Sequence, residues 1–150
     1  MKFSHLLATL AVVAAPAALS AQEILRVPTD KSVEAAADAF EAVVEPAGIT
    51  VFARVNHGMG AQMVGGDVGA SELIVFGNPE VGTPAIEANR LAALMLPLTV
   101  LVYEDTEGQV WLAYQAPGDR LTGFDGIEAD AEFIQTMTGA VANFTRRAAE

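Results

Sequence analysis

Residues 97–115 constrain this chain more than any other stretch. From Pro97 to Tyr103 nearly every residue is apolar, Glu104-Asp105-Thr106-Glu107-Gly108 reads as a hairpin turn, and Gln109 to Gln115 returns as a second strand. Successive side chains of a strand face opposite ways, so Leu98, Val100 and Val102 share one face and Leu101 and Tyr103 the other. The returning strand sets Val110, Leu112 and Tyr114 opposite Trp111 and Ala113. Both faces of such a pair need cover.

The remaining periodicities supply cover for one face. Ile24 to Val27 is a strand candidate closed by Pro28, Thr29 and Asp30. Ser32 reads as an N-cap, followed by Val33, Ala36, Ala37, Phe40, Val43 and Val44 at helical spacing, with Pro46 and Gly48 as the stop. Thr50 to His57 alternates as a strand, with Val51, Ala53, Val55 and His57 on one side. Residues 58–70 hold Gly58, Gly60, Gly65, Gly66 and Gly69, which predicts a mobile loop or a broken helix. Leu73 to Phe76 is a buried type of strand ending in the turn Gly77-Asn78-Pro79. A short helix is expected from Thr83 as cap and Pro84 as first residue towards Arg90. A last helix, capped near Asp125, runs to about Arg147 with Ile127, Ala131, Ile134, Met137, Val141 and Ala148 in one stripe. The order β-α-β-β-short α-β-β-α points to an α+β domain, an antiparallel sheet of four to five strands with both long helices on one face. The opposite face then keeps apolar residues uncovered, and a homodimer through the sheet would bury them.

The first residues read as an address. Lys2 precedes an apolar run from Leu6 to Leu19, with small residues Ser20 and Ala21 after it, the order of a secretory signal peptide. Residues 1–21 are thus expected to be removed, leaving 22–150 as a single domain in the periplasm or the medium. The run is too short for a membrane span, and no later stretch is long and apolar enough. The chain has no cysteine, which excludes disulfides, thiolate metal sites and cysteine nucleophiles. With 8 Lys plus Arg against 19 Asp plus Glu, it repels nucleic acid and anionic lipid headgroups.

Three stretches carry a resemblance: Thr50-Val-Phe-Ala-Arg-Val-Asn-His57; Glu72-Leu-Ile-Val-Phe-Gly-Asn-Pro79 continuing to Gly82-Thr83-Pro84; and Leu96-Pro-Leu-Thr-Val-Leu-Val-Tyr-Glu-Asp105 followed by Val110-Trp-Leu-Ala-Tyr114. Together they resemble the bacterial domain-of-unknown-function 302 family. The resemblance implies a TATA-binding-protein-like arrangement, a curved antiparallel sheet backed by two helices and often dimeric. It brings no reaction and no catalytic residues. Thr99 stands where the family commonly has Lys, and Ala70 where proline is expected.

Candidate chemistry gathers at element ends within these segments, where loops carry function. His57 is the one histidine after the leader. With Gly77, Asn78, Pro79 and Thr83 it forms the expected small-ligand site of a non-enzymatic domain. Two alternatives use the same imidazole: a general base in an enzyme acting on a small metabolite, or Cu(I) ligation by His57, Met59 and Met63, soft donors within seven residues. No cofactor is otherwise expected. No Lys or Arg occurs between Arg54 and Arg90, so the glycines make no nucleotide cradle. Ser32 and Ser71 lie in no Gly-x-Ser-x-Gly elbow. The carboxylates at Glu104, Asp105 and Glu107 belong to a solvated turn rather than a calcium loop.

Overall fold

A computed structural model of the chain describes residues 23–150. The expected leader, residues 1–21, lies outside the described residues. Five strands, β1 (Ile24–Thr29), β2 (Thr50–Asn56), β3 (Ser71–Gly77), β4 (Leu98–Glu104) and β5 (Val110–Gln115), form one sheet in the order β1-β5-β4-β3-β2, every neighbouring pair antiparallel. The α+β architecture expected from the element order is therefore the one observed.

Two long helices, α1 (Val33–Val44) and, at the C-terminal end, Glu132–Ala149, pack on each other and on one face of the sheet. Ser32 starts α1 as expected, its side chain accepting from the Ala35 N–H at 3.2 Å. The inward stripe Ala36, Ala37, Phe40 and Val44 is fully buried against Ile74, Phe76, Val100 and Leu112 of the sheet and Ile134, Met137, Val141 and Phe144 of the last helix. Phe40 meets Phe76 edge to face, centroids 4.9 Å apart.

Several boundaries differ from those the sequence predicts, each for a local reason. The glycine-rich segment begins with a helix, α2 (His57–Met63), because the Asn56 side chain caps it by accepting from the Met59 N–H at 2.8 Å. Gly65 and Gly69, at φ 79 and 71, then turn the chain towards β3. The next helix, α3 (Pro79–Ala88), starts earlier than expected: Asn78, not Thr83, is its cap, accepting from the Glu80 N–H at 2.8 Å, and Pro79, not Pro84, is its first residue. Pro84 sits inside α3, where it has no N–H to give to the helical ladder. A 3₁₀ turn over Arg90–Met95 follows. After β5 a short helix, α4 (Pro117–Leu121), is inserted. The last helix, α5, begins at Glu132 rather than near Asp125 because Gly126 takes φ 83, which breaks a helical path.

In β2 the register shifts between Val51 and Ala53. This bulge divides the face predicted for Val51, Ala53 and Val55: Val51 pairs with Phe76 on the core side, whereas Ala53 and Val55 pair with Val75 and Leu73 on the other. The same shift turns Arg54 inward and leaves Phe52 half exposed at 52%.

Candidate functional site

The end of the sheet at which β3 stops and β4 starts holds a cavity of about 450 Å³, lined by β3, α3, α5 and the entries to β2 and β4. Its apolar wall includes Phe76 from the sheet, Val81 and Ile86 from α3, and Met137, Val141 and Phe144 from α5. Small residues keep the space open. A Cβ on Gly77 would lie 3.5 Å from Pro97 Cβ and 3.6 Å from Phe52 Cε2, and one on Gly82 3.7 Å from Leu96 Cδ1, while Ala140 contributes only a methyl group. The polar lining residues are Asn78, Thr83 and Thr136, all uncharged. No lining residue carries an ionisable side chain, so the cavity desolvates apolar surface but supplies no general acid or base.

The start of α3 creates this site. Gly77, Asn78 and Pro79 convert the end of β3 directly into a helix, and the Asn78 carbonyl accepts from both Val81 and Gly82 N–H at 3.1 and 3.0 Å. Of the residues singled out in the sequence, Gly77, Asn78, Pro79 and Thr83 therefore come together around one cavity. His57 does not join them. Thr50 pairs with Gly77 and Asn56 with Glu72, so His57 follows the far end of β2, roughly 20 Å away at strand rise. It is exposed there, and no small ligand spans both places.

Nor does α2 gather the three soft donors. Residues two apart lie about 200° apart around a helix, so His57 and Met59 face opposite ways, while Met59 and Met63, four apart, share a side. Met59 is 60% exposed and Met63 82%. Met59 also borders a second hollow beside Asn56, Gln62 and Asp67, but Asn56 and Asp67 already accept from the Met59 and Gly69 N–H groups. Among the described residues there is no group of three or more His, Cys, Asp or Glu suited to a metal ion.

Three arginines organise the remaining electrostatics. Arg54 bridges β2 to α1 and β3: Nε and Nη2 donate to Glu72 at 2.6 and 3.2 Å, and Nη1 donates to Asp38 at 2.6 Å and Glu41 at 3.0 Å. These contacts, that to Glu72 foremost, hold its pKa above the ordinary value. Arg26 lies on the open face, 5.0 Å over the Trp111 ring and 3.3 Å from Tyr103 Oη. Arg120 of α4 donates to Thr99 Oγ1 at 3.5 Å, its buried Nε has no partner among the described residues, and burial lowers its pKa.

Phe52, Thr136 and Ala140 also line the cavity beside the Gly77–Thr83 segment, and none of them is marked by the sequence. The α5 stripe through Met137 and Val141 was visible as a core stripe, but nothing in its spacing says which part of it closes a cavity. The bulge that places Phe52 has no signal beyond the Thr50–His57 alternation it interrupts.

The family described as "Domain of unknown function DUF302" matches residues 25–144. Fluoride-specific ion channel FluC 1 of Brucella suis biovar 1 (strain 1330) is 38% identical over 93 residues, 61% of this chain and 37% of that protein. Fluoride-specific ion channel FluC 1 of Brucella abortus biovar 1 (strain 9-941) is also 38% identical over 93 residues, which cover 34% of its length. The chain thus spans about a third of the length of these curated relatives, 37% and 34%. The crystal structure of an uncharacterized conserved DUF302 protein from Bacillus stearothermophilus matches with a TM-score of 0.75 and 19% identity, covering 85% of this chain and 99% of that one, which shows the same fold.

Proposed function

Given that this chain belongs to the DUF302 family, we propose that it is an exported, non-enzymatic domain that binds a small, uncharged, largely apolar molecule in the cavity between β3, α3 and α5. One observation carries this reading: a space of about 450 Å³ whose whole lining lacks an ionisable side chain. Burial of apolar area in such a space favours binding by about 25 cal/mol per Å², whereas a charged ligand would lose hydration with no partner to replace it. The similarity to proteins named as fluoride channels covers a third of their length, and no helix among the described residues is long and apolar enough to cross a membrane.

Export through residues 1–21 and pairing with a second copy through the open sheet face belong to the same reading. The apolar run Leu6–Leu19 supports the first, and the half-buried open-face residues Leu73, Val75 and Leu101 support the second.

The test of the cavity uses phenylnaphthylamine, an uncharged fluorophore that brightens on entering apolar surroundings. Its emission is expected to rise saturably with the wild-type protein. Ala140→Trp, which places a ring in the cavity from a half-buried position, is expected to weaken binding at least about tenfold, ~1.4 kcal/mol, with the fold retained by circular dichroism. Equal binding by both proteins, or no binding by either, overturns the proposal.

A further inference from the structure

Among the described residues one buried side-chain nitrogen or oxygen has no hydrogen-bond partner, the Nε of Arg120. Such an orphan calls for a group that the single chain does not supply. The other cations are provided for: Arg54 meets three carboxylates, Arg146 meets Glu150, Lys31 reaches the Ala149 carbonyl, and Arg26, Arg90 and Arg147 are exposed to solvent. Arg120 is half-buried, and its side chain makes one hydrogen bond, to Thr99 Oγ1 at 3.5 Å. Burial lowers its pKa, as expected of a charge that loses hydration and gains no carboxylate. Asp119, next to it in sequence, turns instead to the Glu23 N–H at 3.3 Å.

Thr99 begins the outward row Thr99, Leu101, Tyr103 of β4, the middle strand of the five, so Arg120 stands on the open face at the start of β4. The other end of the β4–β5 hairpin is acidic, with Glu104, Asp105 and Glu107 against one cation, Arg26. Asp105 is taken up by the Trp111 Nε1–H and by the Glu107 and Gln109 N–H groups. Glu104 and Glu107 are exposed, and neither carboxylate has a hydrogen bond or ion pair among the described residues.

We infer that two copies stack their open faces with the β4–β5 hairpins antiparallel, so that Arg120 of each copy pairs with the partner's Glu104 and Glu107. This rests on pairing through the open face. A twofold axis in the plane between two stacked sheets has two simple settings. Directed along the strands, it gathers both Arg120 groups at one end and both acidic turns at the other, like charge against like. Directed across the strands, it lays β4 on β4 and β5 on β5 in opposite directions and sets each Arg120 over an acidic turn, twice by symmetry. Charge complementarity fixes the register of an interface and penalises the wrong one, so the second setting is selected. Leu101, midway along the outward row, then lies near the axis.

A double-mutant cycle on the dimer dissociation constant, read by sedimentation equilibrium, tests the inference. Its members are the wild type, Arg120→Met, the turn variant Glu104→Gln with Glu107→Gln, and all three substitutions together. Methionine keeps the apolar stem that packs in α4 and removes the charge, and circular dichroism checks that each variant is folded. Arg120→Met and the turn variant are each expected to weaken dimerisation about tenfold, and the combination no further than either, because both remove the same pairing. A dimer unchanged or tighter in Arg120→Met, or effects that simply multiply in the combination, overturns the inference and leaves pairing through the open face standing. A wild type that stays monomeric removes the pairing and the inference with it.

Discussion

Arg54 shows how one residue ties three segments together. Its guanidinium meets Asp38 and Glu41 on α1 and Glu72 on β3, and Glu72 is only 8% exposed. Replacing it leaves a carboxylate in the sheet without its counter-ion, which costs more than the pair itself contributes. Arg54→Met is expected to destabilise the protein by about 2–3 kcal/mol, and adding Glu72→Met is expected to restore part of the loss. Urea denaturation of the two variants checks this, and a double variant no more stable than the single one contradicts it. Asp105 makes a second prediction. Its carboxyl is held below the ordinary carboxylate range, first by the Trp111 Nε1–H at 2.8 Å, then by the Gln109 and Glu107 N–H groups. Because the folded value is depressed, the group stabilises the fold above its unfolded value, and that contribution is lost as pH falls through the depressed one. Melting temperature is expected to fall more steeply below the usual carboxylate range in the wild type than in Asp105→Asn. Parallel curves would refute the role given to this carboxyl.

At the scale of elements, α2 is held by a close approach that only glycine permits. Gly58 is buried, and a Cβ there would stand 2.6 Å from the Gly69 carbonyl oxygen, a backbone atom with little freedom to yield. Gly58→Ala is expected to cost about 1–3 kcal/mol by overpacking. It is also expected to raise amide exchange over His57–Met63, read by deuterium exchange. Unchanged protection would show that α2 is not anchored there. The elements also show how far sequence alone reaches. The β4–β5 hairpin and the α1 stripe were legible because their apolar spacing admits one reading. The start of α3 was not, since Asn78-Pro79 and Thr83-Pro84 both carry a cap followed by proline, and only tertiary packing on the end of β3 selects the first. The glycines of residues 58–70 leave both a mobile loop and a broken helix open, and the Asn56 cap decides for a helix at the start of the segment. For the candidate site, Gly77, Asn78, Pro79 and Thr83 were found from the sequence and do share a cavity. His57 shares with them a place at an element end within the resembling segments, but β2 and β3 run antiparallel, so the end of β2 and the end of β3 lie at opposite ends of the sheet.

At the scale of the whole molecule, the sheet has one face covered by α1 and α5 and one that is not. Leu73, Val75, Leu101 and Ala113 run across the uncovered face, and Arg26, Tyr103 and Trp111 cluster at one corner of it. Such residues commonly dominate interfaces. The face is also nearly free of acidic side chains in a chain of net charge -11, so it is where two copies approach with least repulsion. Wild-type protein is expected to sediment as a dimer at micromolar concentration and Leu101→Glu as a monomer, with the cavity still able to bind phenylnaphthylamine. A wild-type monomer throughout the accessible range contradicts pairing through this face. The cavity lies on the covered side, against α3 and α5, so the proposed ligand binding and the proposed pairing call on opposite faces of one sheet. The central claim is that the space beside Gly77–Thr83 is the ligand site and the region around His57 is not. Amide chemical shifts recorded during a titration with phenylnaphthylamine test it most directly. Saturable changes confined to Val81, Gly82, Ile86, Ala140 and Val141, with His57 to Met63 unmoved, are the expected result, and changes centred on α2, or none at all, would contradict it.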